Sequence, residues 1–204
     1  MTTRNATEIK TSENQSKFIQ DRIGQVEKYF GEICYHFGAY ARKCAKLRDK
    51  GDEVCKSVMD YAINSTLNGT SKTGLTQFAE YLSAVQDYRN AQVQRLEAKV
   101  IAPLSTYGNA CKHAREDLKA AFAARGKEEK QQKQYDKIRE KNPSDRQQIS
   151  QAETELQKAH VDASRTSRAL EEQMDEFEKK KLGDIKVVWL HYIKCYITMD
   201  VFIV

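Results

Sequence analysis

The sequence predicts an all-α protein, an elongated antiparallel coiled coil of three helices that pairs into a homodimer. Three observations carry this. The 204 residues include only 2 prolines and 9 glycines while 31% are charged, a composition with few breaks and a long wetted surface. Apolar residues recur at alternating steps of three and four in three long runs, the heptad signature of helices packed along a seam. Loop-forming residues gather at two places, 63–74 and 142–145, and so divide the chain into three helices.

The first helix is expected over about 15–63, after a flexible tail at 1–14. Its seam runs Ile19, Ile23, Val26, Phe30, Ile33, Phe37, Tyr40, Cys44 and Leu47, skips at Gly51 and resumes at Val54, Val58 and Tyr61. It ends in INSTLNGTSKTG, where Asn, Gly, Ser and Thr cluster. The tail offers only Met1, Ala6 and Ile9 as apolar groups before Phe18, too few for an interfacial membrane helix.

The second helix is expected over about 74–141. Its seam runs Leu75, Phe78, Leu82, Val85, Val93, Leu96, Val100, Leu104, Tyr107, Cys111, Ala114, Leu118 and Phe122. Extra four-residue steps lift the mean period above that of a regular heptad and predict local unwinding. Pro103 lies inside the run, where it removes a backbone donor and crowds the preceding turn. A kink is expected there. Further on, Asn142 before Pro143 disfavours helix, and Ser144 or Asp145 can cap a new one. The third helix is thus expected over about 144–204, and NPSD is the tip of a helical hairpin. Folding back at residue 143 sets Ala163 opposite Ala124, Leu170 opposite Leu118, Phe177 near Cys111 and Ile185 near Ile101, so that small residues meet small and large meet large.

At ~1.5 Å per residue the second helix would be on the order of 100 Å long, and the first would reach only to about residue 120 beside it. A two-helix tip then projects from a three-helix base. The base ends in VVWLHYIKCYITMDVFIV, apolar on nearly every side. Lys194 and Asp200 within it, and its marginal length, argue against a membrane span. A helix apolar all round needs several neighbours, and a second copy of the chain supplies them. Trp189, Tyr192, Tyr196 and Met199 are accordingly placed in the dimer interface.

The net charge of +5 is modest, so its placement matters more than its total. Lys112, Arg115, Lys119, Lys127, Lys130, Lys133, Lys137 and Lys141 recur at nearly helical steps as one basic stripe, and Arg139 and Arg146 add charge near the tip. The stripe points to an anionic phospholipid surface, at which each base adds ~1 kcal/mol. Nucleic acid is not expected, because no basic region forks from a zipper and no compact helix-turn-helix occurs. Catalysis is not expected either. His36, His113, His160 and His191 are scattered, and no glycine-rich phosphate loop is present. Five cysteines, odd in number and without a C-x-x-C pair, imply neither a metal nor a disulfide framework. No cofactor is called for. The start, MTTRNATEIK, lacks the apolar core of a secretory signal, so a cytoplasmic setting is expected.

Five stretches, VEKYFGE (26–32), AKLRDKGDEV (45–54), QDYRNAQVQRLEAKVIAPLSTYG (86–108), NPSDRQQISQAETELQKA (142–159) and DASRTSRALEE (162–172), resemble the Chibby-interacting BAR-domain proteins, over roughly residues 20–198. The resemblance implies a banana-shaped BAR dimer, a curved homodimer that binds and bends anionic membranes. It implies as partner the small coiled-coil protein Chibby. It implies peripheral membrane localisation at the centriole and ciliary basal body, with mitochondrial membrane roles also associated with the family. Members of that family continue their third helix past the point where this chain reads ITMDVFIV, so the chain is expected to be C-terminally shortened. The competing expectation is a cytoskeletal or centrosomal coiled-coil adaptor that never touches lipid.

Overall fold

The structure is a computed structural model that describes the backbone of residues 2–201 and the side chains of residues 14–197. All described elements are helical. They are α1 (Thr2–Asn64), α2 (Gly69–Leu96), a π-helical turn (Glu97–Ile101), α3 (Ala102–Ser105), α4 (Tyr107–Lys141) and α5 (Arg146–Val201). Three long helical passages result, joined by turns at 65–68 and 142–145. The backbone is helical from Thr2, whereas the sequence reading places a flexible tail at 1–14.

Each boundary has a local cause. Asn68 caps α2, its side-chain oxygen accepting from the Ser71 N–H at 2.8 Å, so α2 begins at Gly69. At the tip Asp145 is the capping residue, its carboxylate accepting from the Gln148 N–H at 3.0 Å. The middle passage is interrupted rather than continuous. Pro103 has no N–H for the carbonyl four residues before it, and the ladder widens just upstream into the π turn, closed by the Ala102 N–H donating to the Glu97 oxygen. Downstream, the Thr106 hydroxyl and N–H both donate to the Pro103 oxygen, at 2.7 and 3.3 Å. The extra residue of the π turn matches the four-residue steps in the seam. Leu96, Val100, Leu104, Tyr107 and Cys111 all stay buried through the break.

The chain divides into two compact units. The first joins α1 up to Glu27 with Gly108–Lys181. Its core holds Leu118, Ala121 and Leu170, with Ile19 and Met174 packed against them. Leu170 thus meets Leu118 in one cluster, and beyond it Ala124, Ala152, Ala159 and Ala163 are buried as a thin seam of small side chains. Arg22 donates to Glu178 through Nη2 at 2.8 Å and Nε at 3.3 Å. Lys181 joins the same carboxylate, and Arg115 pairs with Glu27. Burial alone would raise the Glu178 pKa, but the hydrogen bonds from Arg22 and Lys181 outweigh it and hold the group below its ordinary value of 4.5.

The second unit comprises Lys28–Tyr107 and the chain from Leu182 on. Ala41, Leu96, Val100, Leu104, Val188 and Cys195 form its core, flanked by Phe30, Ile33, Phe37, Tyr40 and Tyr192. Phe30 meets Tyr107 edge to face at 4.7 Å, and the Tyr107 hydroxyl donates to Asp184 at 2.8 Å. Toward the 65–68 turn the core becomes small and polar. Here the seam expected from sequence is corrected. Leu47, Val54, Tyr61 and Phe78 are exposed, and the buried positions are Cys55, Ala62, Ala79 and Gln86. The reason is visible at Gly51, where Gln86 of α2 lies so near that an added Cβ would fall 2.3 Å from its amide. The Gln86 side chain thus fills the space over Gly51 that a large apolar seam residue would otherwise take, and the apolar seam is turned outward.

Candidate functional site

Two surfaces hold the residues singled out by sequence. The first is α4. Ten bases and six acids lie along Tyr107–Lys141, whereas the α5 stretch 146–181 that packs with it holds seven bases and eight acids. At about 100° of rotation per residue, Lys112, Arg115, Lys119, Lys127, Lys130, Lys133, Lys137 and Lys141 fall within an arc of about 120°. All eight are exposed. Their spacing follows the 3.6-residue turn, so the row runs parallel to the helix axis, while the buried seam winds away from it at the shorter coiled-coil period. Arg139, expected to add charge near the tip, falls by the same count on the side of α4 opposite the row. Arg146 is exposed at the start of α5.

Ion pairing separates the two helices further. Four of the seven bases in 146–181 are matched, Lys158 with Glu155, Arg165 with Asp162, Arg168 with Glu172 and Lys181 with Glu178. On α4, Arg115 is held by Glu27. Among the described residues no ion pair engages the seven lysines of the row. Across the α4/α5 pair, His160 Nδ1 lies 2.6 Å from Glu128, which removes one carboxylate from competition for those lysines. Among the described residues the row thus keeps seven cations outside any ion pair, Arg115 excepted.

The second surface lies at the α5 end of the second unit. Trp189, Tyr192 and Tyr196 form one aromatic cluster with Phe37 and Tyr40 of α1, with Tyr192 at its centre, 4.9 Å from Phe37 and 6.5 Å from both Trp189 and Tyr196. Trp189 remains 43% and Tyr196 53% exposed, and Leu190, Ile193 and Ile197 are exposed beside them. Tyr192 is partly covered by its own chain. The side chain of Met199 lies outside the described residues. Sequence reasoning missed further exposed apolar groups of this unit on α1 and α2, Leu47, Val54, Tyr61, Phe78 and Tyr81 (72% exposed). The signal was present, since most of these are seam positions, but it was assigned to the inside of one chain.

Nucleophilic chemistry finds little footing. Burial pushes the thiols of Cys34, Cys55, Cys111 and Cys195 up, away from the reactive thiolate. Burial likewise pushes Tyr40 up to about 12, helped by its hydrogen bond with Cys44. No helix among the described residues is long and apolar enough to cross a membrane.

Comparison with known proteins bears on family and fold. The family described as FAM92 protein matches over residues 1–202. The zebrafish (Danio rerio) protein named CBY1-interacting BAR domain-containing protein 1 is 53% identical over 181 residues, covering 89% of this chain and 61% of its own length. The Homo sapiens protein of the same name is 51% identical over 179 residues, 88% of this chain and 61% of its own. This chain thus spans about three fifths of the length of these relatives. Among solved structures, the N-terminal I-BAR domain of D. Discoideum IBARa superposes with a TM-score of 0.53 at 14% identity, covering 91% of this chain and 82% of that one. That likeness concerns the fold.

Proposed function

From the premise that this chain belongs to the FAM92 family and has an all-α coiled-coil fold of BAR type, we propose that it is a non-enzymatic scaffold that binds and curves anionic membranes. The observation that carries this reading is the α4 row of exposed lysines without ion-pair partners, parallel to the helix axis. A straight row of cations can meet many headgroups of one surface at once, and each adds ~1 kcal/mol. In this reading the scaffold is a homodimer. The second unit turns Trp189 and Tyr196, and with them Val54, Tyr61, Phe78 and Tyr81, to the outside while its own core holds Gly51, Ala62 and Ala79. Large apolar groups outside small ones call for a second copy. Met199 belongs to the same proposed interface, while Arg139 and Arg146 serve the tip.

The relatives are named for interaction with CBY1, and a Chibby-type coiled-coil protein is the partner proposed here. Peripheral attachment at the ciliary basal body, with a mitochondrial membrane as a further location, follows from the same resemblance. The test is cosedimentation with phosphatidylserine vesicles. Wild-type protein should pellet, and less so as salt rises through the range where the Debye length shrinks from about 10 to 3 Å. Lys119→Glu/Lys130→Glu/Lys137→Glu should weaken binding at least about tenfold. A dimer that fails to pellet, yet still captures purified CBY1, would establish the lipid-free adaptor instead.

A further inference from the structure

A second cationic surface lies on α1 in the other unit. Between Glu32 and Asp49 the chain has no Asp or Glu, and it carries Arg42, Lys43, Lys46 and Arg48. Across this stretch of helix every formally charged side chain is basic, unlike the mixed charge of an ordinary wetted face. The α4 row, by contrast, is interleaved with Glu128, Glu129, Asp136 and Glu140.

The geometry collects these groups. Counting about 100° per residue, Tyr35, Arg42, Lys43 and Lys46 fall within an arc of about 100°, opposite the side on which Phe30, Phe37 and Ala41 enter the core. All four are exposed, Tyr35 at 68%. Among the described residues no ion pair engages Arg42, Lys43 or Lys46, and the flanking Asp49 is occupied by Arg48 at 2.7 Å. Gly38 leaves room for the Arg42 guanidinium, which would lie 3.3 Å from a Cβ at that position.

We propose that this α1 face, formed by Tyr35, Arg42, Lys43 and Lys46, is a second contact for the anionic lipid surface, separate from the α4 row. The proposal rests on the membrane-scaffold reading given above. Charge complementarity selects an anionic occupant, and the shape of the face selects lipid over an acidic helix. A docked helix needs apolar anchors at i, i+3, i+4 and i+7, whereas the exposed large apolar groups on this stretch of α1 are Tyr35 and Leu47, three turns apart. A lone exposed aromatic ring among bases suits the headgroup layer, where amphipathic rings settle.

Four full-length proteins test it by cosedimentation with vesicles containing phosphatidylserine and with neutral phosphatidylcholine vesicles: wild type, Arg42→Glu/Lys43→Glu/Lys46→Glu, the α4 triple variant, and both sets combined. Each triple variant should lose at least about tenfold in affinity for the anionic vesicles, and the combination should not pellet. Helicity by circular dichroism and mass by sedimentation should stay at wild-type values, because all three sites are solvated. If the α1 variant binds as wild type while the α4 variant does not, the α1 proposal falls and the scaffold reading stands. If wild type itself fails to pellet, both fall. A change of mass in the α1 variant shows the face to be a protein contact and overturns the proposal, as does equal binding of wild type to neutral vesicles.

Discussion

A methyl group added at Gly51 would sit 2.3 Å from the Gln86 side chain, and Gln86 cannot easily yield. It is 2% exposed, donates to the Leu82 oxygen at 3.0 Å and accepts from Arg89 at 2.9 Å. Gly51→Ala gains up to about 1 kcal/mol of helix propensity and should still lose about 1–2 kcal/mol net through overpacking. Urea unfolding should show that loss, and Gly51→Ala/Gln86→Ala should recover much of it, since the two residues share one space. A second residue-level effect concerns Glu178. Its folded pKa lies below the ordinary 4.5, so its contribution is complete above that value and vanishes as pH falls through the folded pKa. Replacing it by Gln should therefore lower stability at pH 7 and flatten the decline below about pH 4.5. With partial exposure and solvent screening the effect is under about 1 kcal/mol, and thermal melts across pH 3–7 will read it.

At the scale of elements, the hairpin between α4 and α5 was legible because two separate signals coincide at NPSD: the proline that disfavours helix before it, and the alanine and leucine positions that match when the chain is folded there. Asp145 carries the cap. Asp145→Ala should cost about 1 kcal/mol, concentrated in hydrogen exchange of the first turn of α5. The π turn before Pro103 was foreshadowed by the four-residue steps at Val100 and Leu104, although periodicity alone does not say how the extra residue is housed. What sequence could not decide was which side of a seam faces inward. Leu47, Val54 and Tyr61 satisfy the heptad as well as any core residue, yet Gly51 and Cys55 pack instead, because close approach to Gln86 is a property of two helices together. The Arg42–Lys46 bases were overlooked for a related reason: they sit beside a strong apolar seam, and the search for regular charge spacing leads to α4.

For the whole molecule, the apolar exterior of the second unit is the feature with the largest energetic reach. Covering one large apolar side chain contributes roughly 1.5–3 kcal/mol. Trp189→Glu/Tyr196→Glu places two charges in the proposed interface and should weaken self-association by about a hundredfold or more, read by analytical ultracentrifugation, with helicity retained. Vesicle binding should fall with it although every base is intact, and a variant of unchanged mass would place the interface elsewhere. The ion pair between Arg22 and Glu178 has a different consequence, one of order in time. Its partners are separated by 156 residues. At ~5–20 residues per second, translation takes on the order of 8–30 s to deliver Glu178 after Arg22. Throughout that interval Ile19, Ile23 and Val26 leave the ribosome without the third helix that completes their packing. The nascent first helix must therefore wait in a partly formed state, held by α4 through Arg115 and Glu27 once those residues emerge, and until then it offers an apolar stripe to whatever chaperone attends the growing chain.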